Sequence, residues 1–199
     1  MKTVLTTIAL TAASLFAVAE ASVVGQPAPA FTLTDSNGKS HNLADFKGKT
    51  VVLEWTNHDC PFVKKHYGAN NMQTQQAEAT SKEVVWLTIN SSAPGKQGHV
   101  DGAAANEVRS KVGAKQTAYL LDPKGDTGRA YGAKTTPHMY IIDANGVLRY
   151  NGAIDSISSA DQADIPKATQ YVSQGLAELS AGKNLSVTTS KPYGCAVKY

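Results

Sequence analysis

The stretch Thr50-Val51-Val52-Leu53-Glu54-Trp55-Thr56-Asn57-His58-Asp59-Cys60-Pro61 joins two kinds of local order. Its first half is β-branched and apolar, and is short enough for a buried strand. Cys60-Pro61 follows Trp55 after four residues. Proline is favoured just inside a helix start, where its missing amide hydrogen would be unpaired anyway. The sequence therefore predicts a cysteine where a strand has ended and a helix begins. Unpaired backbone amides and the helix dipole at such a junction favour the thiolate. Lys64 and Lys65, within about one turn, add positive potential, and Asp59 opposes it. The competing reading is an inert cysteine in the core, against which the polar flank Asn57-His58-Asp59 argues.

Working outward, Phe62, Val63, His66, Met72 and Ala77 suit one apolar side of a helix from Pro61 to about Ser81, with Gly68 and Asn70-Asn71 as points of kinking. Glu83–Ile89 reads as a second buried strand, Ser91–Gly102 as a loop, and Ala103–Val112 as a helix. Ala118–Leu121 is a third short strand, followed by a turn at Asp122–Gly125 and a helical turn around Thr127–Tyr131. Met139–Ile142 and Val147–Tyr150 flank Asp143-Ala144-Asn145-Gly146, whose Asn-Gly is a strong hairpin signal. A closing helix is predicted over Ile165–Ala181, with Ile165, Ala168, Val172, Leu176 and Leu179 at spacings of three and four. Upstream, Gly25–Ala30 is an extended entry, and Phe31–Thr34 and His41–Leu43 form a small edge hairpin across Asp35–Gly38. This order predicts an α/β fold with a mixed central sheet and helices on both faces, an architecture that hosts many functions.

The ends and the composition narrow the field. Met1-Lys2, the mostly apolar run Ile8–Ala19 and Ala19-Glu20-Ala21 have the parts of a secretory signal peptide, with cleavage expected after Ala21. The run is about twelve residues, whereas a membrane-spanning helix needs roughly 20. The expected organisation is a signal peptide at 1–21, one domain at 22–182 and a tail at 183–199 that carries Cys195. The expected location is exported, periplasmic or beyond. The net charge is +3 with scattered lysines, which suggests neither nucleic acid nor an anionic membrane as partner. Two cysteines, Cys60 and Cys195, exclude a disulfide-dense miniature scaffold and a paired C-x-x-C metal site. No metal or organic cofactor is called for.

The passage from Val51 to Pro61 resembles the strand-to-active-site segment of thioredoxin-like proteins. Gly25-Gln26-Pro27-Ala28-Pro29-Ala30-Phe31 is similar to the G-x-x-A-P-x-F opening of peroxiredoxin-like chains, and Thr135-Thr136-Pro137 before an apolar strand resembles the thioredoxin cis-proline loop. Over residues 25 to 180 the chain thus resembles the peroxiredoxin-like branch of the redoxin superfamily, the alkyl hydroperoxide reductase and thiol-specific antioxidant group. The resemblance implies a thioredoxin-like fold and chemistry at Cys60. The second cysteine of a thioredoxin dithiol would stand at Val63, so oxidised Cys60 would be resolved by Cys195, another protein or a small thiol. Cys195 is either that partner or a free structural thiol. A disulfide between the two would close a long loop, worth roughly 4 to 5 kcal/mol in the chain-entropy model.

Two peroxide-activating features of peroxiredoxins are replaced here, a threonine or serine by Asn57 and an arginine by Pro137. Arg129 or Arg149 could substitute for that arginine, or else each is a solvated surface charge. By the resemblance Pro137 is cis, and Thr136 would present its backbone beside Cys60 to an extended polypeptide. Glu54 stands where thioredoxins carry a buried proton-moving acid, or else is a strand-end residue. A third idea brings His58 and His138 to Cys60 as copper or zinc ligands.

The function implied is that of a thiol-dependent oxidoreductase. Cys60 attacks peroxide or a disulfide, Cys195 or an external thiol resolves it, Glu54 and Lys64 tune protonation, and Asn57, Thr136 and Pro137 shape the pocket. Its partners would be a peroxide or disulfide and an external thiol reductant such as a thioredoxin-like protein. The competing class is a non-enzymatic binding or chaperone module with a structural cysteine.

Overall fold

The computed structural model describes residues 22–199, so the expected signal peptide lies outside the described residues. Seven strands form one sheet: β1 (Thr32–Asp35), β2 (Ser40–Asn42), β3 (Val51–Trp55), β4 (Val85–Asn90), β5 (Ala118–Leu121), β7 (His138–Ile142) and β8 (Leu148–Gly152). Their order is β2-β1-β5-β4-β3-β7-β8. β3, β4 and β5 run parallel, and β7 closes antiparallel on β3 with Trp55 opposite His138. Every residue of β3 and β4 is buried, which is why apolar residues predominate in both without alternating, interrupted only by Glu54, Thr88 and Asn90: helices and loops cover both faces of a central parallel strand. The remaining strands, β6 (Thr135–Thr136) and β9 (Cys195–Ala196), make a separate two-stranded ladder.

One face of the sheet is held by Trp55, Tyr131 and Tyr140, whose rings meet at centroid separations of 5.1 to 5.4 Å, the range of favourable aromatic pairs. The other face packs Val52, Trp86, Met139, Ile141 and Tyr150 against Met72 and Val172 from the helices. Each such fully buried aliphatic side chain contributes roughly 1.5 to 3 kcal/mol of transfer free energy. This two-faced mixed sheet is the thioredoxin-like α/β fold.

Two predicted helices are differently built. The segment read as one kinked helix is α1 (Pro61–Gly68) and α2 (Asn71–Ser81), separated by Asn70 in the left-handed region at φ 57°, a conformation asparagine tolerates. The segment read as one closing helix from Ile165 is a 3-10 turn over Gln162–Lys167 followed by α5 (Tyr171–Ser180). Pro166 stands inside the 3-10 turn, where its missing amide hydrogen cannot close an α-helical bond, and extended backbone at Ala168 and Gln170 separates the turn from α5. Ile165 and Ala168 therefore do not share the apolar face of α5. The two other helices, α3 (Gly102–Val112) and α4 (Asp126–Tyr131), lie where the sequence predicts them.

Candidate active site

Cys60 is the N-cap residue of α1, with extended backbone at φ −69° and ψ 126° and Pro61 in the first turn. Its side chain is fully buried, yet its neighbours are polar. The thiol donates to the carbonyl oxygen of Thr136 at 3.1 Å, and the amide of Cys195 donates to Sγ at 3.4 Å. The Thr136–Pro137 peptide is cis. The tail brings Cys195 here because β9 pairs antiparallel with β6, Thr136 opposite Cys195 and Thr135 opposite Ala196. Both cysteines are free thiols.

Burial disfavours ionisation of Cys60, but hydrogen bonding from the Cys195 thiol and from the amides of Val63 and Cys195 outweighs it and holds the Cys60 thiol below its ordinary value. The Val63 amide faces the sulfur from the first turn without closing a capping hydrogen bond. Cys195 moves the other way: desolvation and its contact with Cys60 push it up to about 11. The pair thus divides into a sulfur poised to ionise and a sulfur that keeps its proton and donates it. The Cys60 to Thr136 contact belongs to the thiol form, and the amide contacts stabilise the thiolate.

The other predicted residues separate into two groups. Thr136 meets Cys60 through its carbonyl, Pro137 follows it across the cis peptide, and Thr136 Oγ1 also donates to the Cys195 carbonyl at 3.4 Å. Asn57 is buried and structures the loop: its Oδ1 accepts from the Asp59 amide at 2.9 Å and its Nδ2 donates to the Gln97 carbonyl at 3.2 Å. Its backbone carbonyl accepts from the Cys60 amide at 3.0 Å. Lys64 is exposed, and its Nζ lies 4.0 Å from Asp59 Oδ1.

Glu54, the penultimate residue of β3, is fully buried and accepts hydrogen bonds from Tyr67, Gln76, Trp86 and Thr88 at 2.8 to 3.1 Å. Desolvation raises its pKa despite those donors. None of its hydrogen bonds is to Cys60. Its link to the site is Tyr67, a residue of the helix that Cys60 caps.

His58 and His138 do not converge on Cys60 as a metal site. The His138 ring lies between Asn151, Tyr140 and the Lys134 amide, with contacts of 2.8 to 3.2 Å, while His58 lies near Asp59 on the partly exposed loop. Among the described residues, no group of three His, Cys, Asp or Glu side chains is arranged to hold a metal ion. Arg149 pairs with Asp143 and Arg129 stacks on Tyr199, so neither faces the sulfur.

The sequence sets Gly194 beside Cys195 but does not show how the tail is fixed. Gly194 has φ 131°, and a Cβ added there would lie 2.1 Å from the Thr136 carbonyl oxygen. Only glycine permits so close an approach of the tail to the cis-proline loop. Beyond Cys195, the Val197 amide donates to Lys134, and the Tyr199 hydroxyl donates to Ala133 at 2.7 Å. Before it, Tyr193 reaches a buried polar cluster under α1. The sequence signals were the glycine beside a late cysteine and the aromatic residues around it.

Residues 24–151 match the AhpC/TSA family. The chain is 33% identical over 133 residues to the thiol-disulfide oxidoreductase ResA of Bacillus subtilis, an alignment covering 67% of this chain and 69% of that protein. It is 28% identical over 141 residues to the chloroplastic peroxiredoxin Q of Suaeda salsa, covering 69% of this chain and 64% of that protein. Among solved structures, an uncharacterized conserved protein from Geobacillus kaustophilus superposes with a TM-score of 0.79 at 26% identity, over 89% of this chain and 92% of that one.

Proposed function

From the premise that the chain belongs to the AhpC/TSA family, we propose that it is an exported thiol-disulfide oxidoreductase that cycles between a Cys60/Cys195 dithiol and a Cys60–Cys195 disulfide. The observation that carries this reading is the contact between the two cysteines, in which a sulfur with a lowered pKa accepts from a residue whose own thiol is pushed up to about 11. The Cys60 thiolate attacks one sulfur of a substrate disulfide, and the first substrate thiolate leaves. Cys195 then loses its proton to the departing thiolate and attacks the Cys60 sulfur. The second substrate thiolate leaves and takes up from solvent the proton that Cys60 released on ionising, so the substrate has gained two electrons and two protons. An external thiol reductant reverses the change in the protein.

In this reading Thr136 and Pro137 are the backbone wall against which the reacting sulfurs align, and Asn57 shapes the approach. Glu54, whose pKa burial raises, and Lys64 at the surface tune proton movement around α1. The 183–199 tail supplies the resolving half of the site, and residues 22–182 supply the redoxin domain. Export rests on the signal-peptide pattern of residues 1–21. No helix among the described residues is long and apolar enough to cross a membrane.

A second reading is reduction of peroxide. Full burial of Cys60 beneath the tail favours a small oxidant. In that case Cys60 displaces an alkoxide or hydroxide to become a sulfenic acid, which Cys195 condenses to the same disulfide with loss of water. The absence of the threonine or serine at Asn57 and of the arginine at Pro137 weighs against fast peroxide activation. Reduced full-length protein should be mixed separately with glutathione disulfide and with hydrogen peroxide at equal concentration, and quenched at intervals with an alkylating agent. Faster loss of both thiols with the disulfide supports the first reading. Faster loss with peroxide supports the second, and retention of both thiols with either oxidant removes both.

A further inference from the structure

We infer that Tyr193 is a positioning residue that clasps the tail to the helix of the nucleophile and thereby holds Cys195 against Cys60. This rests on the dithiol reading above and identifies what sets the geometry of the pair. Tyr193 lies two residues before Cys195, and its hydroxyl donates to Asp155 and lies 3.2 Å from His66 Nε2. Asp155 Oδ2 is 3.5 Å from Lys65 Nζ, and Lys65 also donates to the Ile157 carbonyl at 3.3 Å. The side chains of Lys65, His66 and Asp155 have no exposed surface.

Two features separate this cluster from ordinary core packing. Burying a lysine and an aspartate is costly and is weak evidence of a purely stabilising role. The cluster also joins the two parts of the chain whose sulfurs must meet: Lys65 and His66 belong to α1, which Cys60 caps, and Tyr193 belongs to the tail. The Tyr193 ring packs edge-on against Phe62, two residues after Cys60, at 5.7 Å. Between clasp and sulfur stands only Gly194, whose backbone lies against Thr136. A register set at Tyr193 is therefore transmitted across one residue to Cys195. The family match ends at residue 151, so Asp155, Tyr193 and Cys195 all lie beyond it, while Lys65 and His66 lie within it.

The test uses the full chain and the Tyr193→Phe variant, which keeps the ring against Phe62 and removes only the hydroxyl. Tyr193→Leu, which loses the ring as well, should act in the same direction and more strongly. Two readouts are taken. In the reduced protein, Cys60 alkylation is followed across pH. Loosening the clasp should raise the rate several-fold and move the midpoint towards that of an ordinary thiol. In glutathione buffers, where protein dithiol and glutathione disulfide give protein disulfide and two glutathione thiols, the effective concentration of Cys195 at Cys60 should fall about tenfold, the scale of a hydrogen bond to a charged acceptor. Unchanged alkylation rate and midpoint in Tyr193→Phe would overturn the inference. If the wild type forms no Cys60–Cys195 disulfide in any buffer, the dithiol reading falls, while the alkylation readout still judges whether Tyr193 positions the tail.

Discussion

Cys195 faces Thr136 across a two-residue antiparallel ladder, and the same register carries the Cys195 amide to 3.4 Å from Cys60 Sγ. The tail thereby occupies the backbone edge beside the cis-proline loop, the edge to which an extended polypeptide would add as a strand. The chain supplies its own strand, and that strand carries a thiol.

If the Cys195 thiol helps to hold Cys60 below its ordinary value, removing it reverses part of the shift. In Cys195→Ala the pH midpoint of Cys60 alkylation moves to higher pH than in the wild type, because the sulfur keeps the amide contacts and loses the S–H donor. An unchanged midpoint would mean that the helix start and backbone amides alone set the ionisation of Cys60.

Gly194→Ala tests the close approach of the tail. The new Cβ would collide with the Thr136 carbonyl from a backbone at φ 131°, so the tail must shift. The expected outcome is a loss of about 1 to 3 kcal/mol of stability, the cost of a side chain in such a backbone region, with faster Cys60 alkylation. Urea melts and alkylation kinetics on the same preparation measure both.

Glu54 gives a stability signature of known sign. Its folded-state pKa is raised, so the protonated form is favoured by folding. Stability from this group is fully present below the unfolded pKa and is lost as pH rises towards the folded one. Glu54→Gln does not titrate and leaves at least one of four donors mispaired, costing about 1 to 3 kcal/mol. The gap between wild type and variant in urea melts should therefore be widest at acid pH and narrow as pH rises. A gap that widens with pH would refute the assignment.

His66 and His138 carry the opposite dependence. Desolvation lowers both to about 4, so both rings are neutral at pH 7 and His66 forms no ion pair with Asp155. Their contribution is present above the unfolded histidine pKa of about 6.5 and is lost as pH falls towards 4. In an NMR titration the ring signals of these two histidines should stay fixed between about pH 8 and 6, where an unperturbed histidine has begun to move. Movement of either signal in that window would contradict its burial as a neutral ring.

Much of the fold was legible because its signals are local. The β-branched run Val51–Trp55, Pro61 at a helix start and Asn145-Gly146 at a hairpin each act within a few residues. The break at Pro166 was equally local, but the apolar spacing from Ile165 to Leu179 obscured it. Lys65 and His66 read as part of a helix surface and an apolar side. Nothing within ten residues of them says that Asp155 and Tyr193 will arrive underneath. Lys64 and Lys65 look alike in the sequence as charges near Cys60, whereas the structure turns Lys64 outward and buries Lys65. Cys195 could be named as a candidate partner from its glycine neighbour, but its register against Thr136 depends on contacts made across the whole domain.

The central claim is that Cys60 and Cys195 form one redox couple. Its most direct measurement is peptide-mapped mass spectrometry of the reduced full-length protein after one equivalent of glutathione disulfide, with free thiols blocked at each time point. The account predicts loss of two hydrogens from the intact protein and a cross-linked peptide pair containing Cys60 and Cys195, with Cys195→Ser instead accumulating a glutathione adduct on Cys60. Stable glutathione adducts on Cys60 in the wild type, with Cys195 still alkylated as a free thiol, would contradict it.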